Sequence, residues 1–179
     1  MARTRQIRLP FTGEGLLKGD HALTFTQLEA SDLVRGPQVR PADWDEALRR
    51  RLVANLRILH GQLWRVLGDP QTRIAGSFAS LKGRPVDIDG FFRCPEEMLL
   101  SGELERRLDA LDPHRAWGWG KHDWVPISDL GGKRKLRMWA HYRVELRAEP
   151  EGSTKWEEWF RSPRLPLRGP HGFIVIKGR

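Results

Sequence analysis

Leucines recur at every third or fourth position from Leu48 through Leu52, Leu56, Leu59, Leu63 and Leu67, until Gly68 and Pro70 stop the pattern. Apolar positions at that spacing share one face of a 3.6-residue helix. The run predicts an amphipathic helix of roughly seven turns, opened by Asp43 and Glu46 at capping-box spacing. Its other face carries Arg49, Arg50, Arg51 and Arg57, which read as solvated surface. The period then shortens to two, so residues 72–78 and 86–93 are expected to be strands joined by a loop at 80–85. Pro95 opens a second helix that continues through Met98, Leu99, Leu104, Leu108 and Leu111, with Gly102 weakening its middle. Residues 141–148 read as a strand, Ser153 as the cap of a short helix over Trp156, Trp159 and Phe160, and 173–176 as a last strand. Residues 114–132, rich in Gly and Trp, receive no regular structure. Residues 1–40 read as an irregular N-terminal arm that packs on the body, residues 41–179, through Leu16, Leu17, Leu23, Phe25 and Leu28. The expected architecture is α+β: a small mixed sheet with helices packed mainly on one side.

The chain has 179 residues, of which 39% are hydrophobic, including 8 Trp and 7 Phe, so one domain with a real core is expected and wholesale disorder is excluded. The single Cys94 excludes an internal disulfide framework and a Cys-rich zinc site. No apolar run reaches the roughly 18–20 residues needed to span a bilayer, and no signal segment follows Met1. A soluble cytoplasmic protein with no membrane partner is expected. Lys and Arg number 31 against 23 acidic residues, a net charge of +8 that favours polyanionic partners. Basic segments lie at Arg3, Arg5 and Arg8 and at Lys133-Arg134-Lys135-Leu136-Arg137. The second follows two glycines and is expected to be mobile without a partner. Arg84, Lys133, Arg134 and Lys135 are candidate nucleic-acid contacts. Trp117, Trp119 and Trp124 beside them suit either base stacking or core packing.

The chemically informative stretch is Ile74-Ala75-Gly76-Ser77-Phe78 followed by Val86-Asp87-Ile88-Asp89-Gly90. Alternation along a strand projects Asp87 and Asp89 from one face while Ile88 points into the opposite layer. Two carboxylates so placed suit Mg²⁺ or Mn²⁺, hard cations that take oxygen ligands from protein and from substrate phosphates. A Gly76-Ser77 turn lets backbone N–H groups approach those phosphates closely, and Lys82 and Arg84 stand in the loop entering the acidic strand. An exposed edge strand and an ordinary turn would produce the same local pattern.

The combination resembles the DNA polymerase beta-like nucleotidyltransferase superfamily, in which a strand ending in Gly-Ser precedes a strand with two metal-binding acidic residues. A third carboxylate stands on a later strand. The wider chain, with Gly76-Ser77-Phe78, Lys82, Asp87-Ile88-Asp89-Gly90, Tyr142-Arg143-Val144-Glu145 and Gly172-Phe173-Ile174-Val175, is similar to a bacterial family of small nucleotidyltransferase-like domains. The resemblance implies metal-dependent transfer of a nucleoside monophosphate from a nucleoside triphosphate to an acceptor. Asp87, Asp89 and Glu145 would be the catalytic metal ligands, and Gly76, Ser77 and Lys82 would bind the nucleotide. Glu145 is the candidate third carboxylate because Tyr142, Val144 and Leu146 form one apolar face and leave it on the other, beside Arg143 and Arg147. The basic balance makes RNA, for example a tRNA end, the first expected acceptor and a protein hydroxyl the second. One departure stands out: antitoxin-type members carry an arginine soon after Gly-Ser, whereas here the first cation is Lys82. The rival reading is a catalytically silent module that binds nucleic acid or a partner protein in a toxin–antitoxin or phage-defence assembly; a metal-dependent nuclease is a third.

Overall fold

The computed structural model describes residues 5–162 and 171–178; Arg3, part of the basic opening, lies outside them. The long helix forms as its leucine spacing requires: α3, Glu46–Leu67, has Asp45 as N-cap, its carboxylate accepting the Leu48 N–H, and ends at Gly68 with φ 80°. Preceding it are β1 (His21–Leu23), α1 (Phe25–Glu29) and α2 (Asp32–Arg35). Residues 1–40 are therefore not uniformly irregular. Thr24 closes a capping box with Gln27, and β1 pairs in parallel with the last strand, so long-range pairing gives order to a segment whose own periodicity is weak.

The main sheet contains β1, β2 (Arg73–Ala75), β3 (Ile88–Cys94), β6 (Val144–Pro150) and β7 (Ile174–Ile176), in the order β1-β7-β2-β3-β6. It is mixed: β2 runs antiparallel to both β3 and β7, whereas β3 and β6 are parallel. Between β3 and β6 come α4 (Glu96–Leu100), α5 (Glu103–Asp109), the hairpin of β4 (Trp124–Pro126) and β5 (Arg134–Leu136), and α6 (Arg137–Tyr142). The final helix is α7, Lys155–Arg161. The fold is α+β, and among the described residues no helix is long and apolar enough to cross a membrane.

Alternation along the strands divides the sheet into two chemically different faces. Ile74, Ile88, Phe92, Cys94, Val144, Leu146 and Ile174 enter the main core with the α3 leucines and residues of α1, α2, α5 and α6. Full burial of one such leucine or phenylalanine contributes about 1.5–3 kcal/mol. Ala75 and Phe91 face the other way and pack with Phe160 of α7 and Phe173.

Several expected elements change. The strand expected at 72–78 stops at Ala75 because Gly76, at φ 68°, turns the chain. The strand expected to start at 86 starts at Ile88, so Asp87 stands just before it. The helix expected through Leu111 divides into α4 and α5 because Gly102 adopts φ 70° between them. Tyr142 belongs to α6 rather than to a strand, and Arg143, at φ 53°, separates that helix from β6. The basic run 133–137 is not a free loop: it is the return strand of a hairpin and leads straight into α6. Arg49 is wholly buried, not solvated.

Candidate functional site

The site lies on the sheet face turned away from α3. Side chains alternate with the core residues there, giving Asp87, Asp89, Phe91 and Arg93 along one chain segment and Glu145, Arg147 and Glu149 along its neighbour. The parallel register places Asp89 directly opposite Glu145. Adjacent strands lie about 4.8 Å apart, so the two side chains stand side by side on one face without any loop having to bring them together. Asp87 joins them one residue before the strand. At the other end of this face, α7 covers a structural ionic network: Arg73 and Arg93 both donate to Glu157 at 3.1 Å, and Glu149 accepts the Trp156 N–H at 2.8 Å.

The two glycines of the sequence signature have separate physical reasons. Gly76 lies against Asp89: a Cβ there would stand 2.8 Å from its Oδ2. Gly90 leaves room for the Arg73 backbone carbonyl across the β2–β3 ladder, where a Cβ would collide. After Gly76 the chain makes a tight turn in which Ser80 Oγ donates to the Ser77 carbonyl at 2.7 Å and accepts the Lys82 N–H at 3.2 Å.

Arg49 holds this loop in place. Its guanidinium donates to the carbonyls of Leu33, Phe78, Ser80 and Lys82 and stacks 4.1 Å over Trp44. Burial pushes its pKa down to about 9 while Asp43 opposes the fall, so it remains a cation at neutral pH. Sequence reasoning missed it because a lone arginine on the polar side of a leucine pattern carries no sign of the carbonyls that will converge on it.

A cleft of about 850 Å³ opens beside the loop, lined by Gly76, Ser77, Ser80, Leu81, Lys82 and Asp89 together with Glu14, Leu16 and residues near α7. That volume is within the range of small-molecule sites. Three expected nucleotide contacts, Gly76, Ser77 and Lys82, thus share one wall with an expected metal ligand. Of the three carboxylates, Asp89 is the most open, its side chain 29% exposed against 10% for Asp87 and 6% for Glu145.

The ammonium of Lys135 stands among the three carboxylates. It lies 2.9 Å from Asp87 Oδ2, 3.5 Å from Glu145 Oε2 and 3.8 Å from Asp89 Oδ1. Burial pulls its pKa down, but attraction to Asp89, Glu145 and Asp87 and the hydrogen bond to Asp87 outweigh that and leave it raised. Trp139 Nε1 donates to the same Asp87 oxygen at 2.7 Å. Arg147 pairs with Glu145 Oε1 and is flanked by Trp124 and Trp156 at 4.6 and 5.2 Å. Glu145 Oε2 is buried and accepts no hydrogen bond from the described residues.

Lys135, expected on a nucleic-acid surface, is instead drawn inward because strand alternation along β5 turns it opposite to exposed Arg134. Lys133 and Arg134 remain exposed on the hairpin, with Arg134 donating to the Trp124 carbonyl at 2.5 Å. Arg84 is also exposed and pairs with Asp45 at 3.6 Å. Trp117 is fully buried and donates to Gln62, and Trp119 donates to the Leu146 carbonyl. Full burial removes Trp117 from base stacking, while Trp119 is partly buried and packs against the core. Cys94 is buried, and burial pushes its thiol up to about 11.

Oxygen-only carboxylate donors, a buried Glu145 oxygen that accepts no hydrogen bond from the described residues and a glycine backbone against Asp89 fit a hard divalent cation, provided that Lys135 withdraws. A tighter group lies elsewhere: the ligand atoms of Glu105, His122 and Asp123 all lie within 4.8 Å of one another. Asp123 there is already engaged by Arg137 at 3.3 Å and by the Gly120 N–H at 2.9 Å.

Fold and site together describe an α+β domain with an acidic triad at the edge of a glycine-turn cleft. The chain belongs to a family of unknown function, DUF6932, whose model matches residues 9–177. Neither the curated proteins nor the solved structures contain a match to it.

Proposed function

We propose that this protein is a metal-dependent nucleotidyltransferase of the cytoplasm that moves a nucleoside monophosphate from a nucleoside triphosphate to an acceptor hydroxyl. The observation that supports the reading is the register of Asp89 opposite Glu145, with Gly76 packed on Asp89 at the wall of the cleft. Asp87, Asp89 and Glu145 would hold Mg²⁺ or Mn²⁺, which supplies charge neutralisation at the triphosphate and acidifies the acceptor hydroxyl. Gly76, Ser77 and Lys82 bind and orient the phosphates from the cleft wall, and Arg49 keeps their loop rigid. Positioning and electrostatic stabilisation provide most of the catalysis, as in phosphoryl transfer generally. The acceptor oxygen bonds to the α-phosphorus as the bond to pyrophosphate breaks. The net charge of +8 and exposed Arg84, Lys133 and Arg134 favour RNA as acceptor, with a tRNA end first and a protein hydroxyl second.

A specific observation favours the other reading, a catalytically silent module that binds nucleic acid or a partner protein in a toxin–antitoxin or antiviral defence assembly. A cation already occupies the centre of the triad, as a pseudo-active site would arrange it. One experiment separates the two. Wild type and Asp87→Asn/Asp89→Asn are incubated with each α-³²P nucleoside triphosphate, Mg²⁺ or Mn²⁺, and total RNA or lysate. Metal-dependent labelling of RNA or protein by wild type alone is the expected outcome. Absence of labelling by wild type, together with RNA or protein binding equal in both proteins, would establish the silent module.

A further inference from the structure

The position of Lys135 carries a consequence beyond the proposed activity, although it rests on that reading of the triad as a metal site. Three carboxylates whose side chains are only 6–29% exposed cannot remain together uncompensated, because low-dielectric surroundings amplify their repulsion. Among the described residues two cations contribute to the compensation, and they do so differently. Arg147 lies at the edge, paired to Glu145 Oε1 and clasped between two tryptophans. Lys135 lies at the centre, within 4.0 Å of all three side chains by its ammonium alone.

That central fit is incomplete. Lys135 makes one short contact, to Asp87, while Glu145 Oε2, 3.5 Å away, stays buried without a hydrogen bond from the described residues and Asp89 stands farthest away. An ammonium offers three donors on a flexible stem, yet the pocket does not exhaust them. The three carboxylates are also spread around the ammonium rather than drawn into a group as tight as that of Glu105, His122 and Asp123. The carrier of Lys135 is suited to release. Among the described residues the β4–β5 pair is a separate two-stranded sheet without a backbone ladder to the main sheet, and its lysine can rotate about four side-chain bonds while Leu136 stays buried.

We propose that Lys135 is a built-in counter-cation that competes with divalent metal for the pocket of Asp87, Asp89 and Glu145, so that its withdrawal is what makes the site metal-competent. Without metal it neutralises the triad and keeps Asp87 and Glu145 covered. Its displacement frees an ammonium beside the cleft, where it can meet a substrate phosphate. Metal affinity is therefore set by this residue as much as by the ligands themselves.

The test is Mn²⁺ binding, measured by the electron paramagnetic resonance signal of the free ion, to wild type, Lys135→Met and Asp89→Asn. Lys135→Met is expected to bind about tenfold or more tightly than wild type, a difference of about 1.4 kcal/mol, and Asp89→Asn to lose binding. In wild type, residue-resolved acetylation by an amine-reactive ester is expected to reach Lys135 several-fold faster at saturating Mn²⁺, while exposed Lys133 is unaffected. Binding by Lys135→Met alone would also support the competition, and would move the wild-type protein to the silent reading. Equal affinity of wild type and Lys135→Met, lost in Asp89→Asn, would overturn the role of Lys135 and leave the metal site standing. No Mn²⁺ binding by any of the proteins would overturn both. Should Lys135→Met fail to fold, unchanged acetylation of Lys135 in Mn²⁺-saturated wild type refutes the displacement.

Discussion

Gly76 is the residue on which the turn and the acidic site depend together. Its φ of 68° belongs to the left-handed region, and the space its side chain would fill is the edge of the Asp89 carboxylate. Gly76→Ala is therefore expected to cost about 1–3 kcal/mol of backbone strain and to shift Asp89. A lower melting temperature together with weaker Mn²⁺ binding would bear this out; a melting temperature within one degree or so of wild type would show that the turn tolerates a side chain. Glu145→Gln has a different signature. It keeps the shape of a buried side chain but removes the charge paired with Arg147, and breaking such a pair costs about 3–5 kcal/mol. Urea unfolding is the measurement, and a loss below 1 kcal/mol would mean that the pair is better solvated than its burial indicates.

Among the elements, α3 does more than present leucines to the sheet. Through Arg49 it joins α2, at Leu33, to the loop that follows Gly76, by hydrogen bonds to carbonyls of both. Arg49→Met is expected to leave those carbonyls unsatisfied and to cost at least about 3 kcal/mol, at roughly 1–3 kcal/mol for each orphaned buried group. Arg49→Lys should recover only part of this, because an ammonium lacks the planar fork. Thermal melts of both variants decide the point, and full recovery by lysine would show that charge rather than fork geometry matters. The β4–β5 hairpin shows the opposite economy. It is made of strands only three residues long, too short to be stable alone, and is held by Leu136 in the core and Lys135 in the triad.

Over the whole molecule, His60 joins parts that are remote in sequence. Its ring nitrogens bond to Thr72 Oγ1 and to the Gly178 carbonyl, both at 3.0 Å, tying the long helix to the approach of β2 and to the segment after β7. Burial lowers its pKa, with the Gly178 bond and Asp69 partly opposing. The folded state then binds a proton less readily than the unfolded chain, so stability is full above the unfolded value of about 6.5. It declines as pH falls from there toward the lowered folded value, by at most about 1.4 kcal/mol per pH unit. Urea midpoints at pH 7 and pH 5 should fall for wild type, and His60→Gln should show a smaller fall. An equal fall in both would assign the pH dependence to other groups.

Much of this was legible in one dimension. Leucine spacing predicts α3, and alternation around Ile88 puts Asp87 and Asp89 on one face. Alternation around Val144 and Leu146 puts Glu145 on the face away from the core, whatever strand lies beside it. These follow from local backbone geometry, whose periods of 3.6 and 2 act within a few residues. The pairing of Asp89 with Glu145, the burial of Arg49 under the loop carbonyls and the entry of Lys135 among the carboxylates join segments tens of residues apart. No local period specifies them. They depend on which strands share a ladder and in what register, and that choice is made by the packing of the whole core, so the acidic residues could be read from the chain while the cation among them could be found only in the folded molecule.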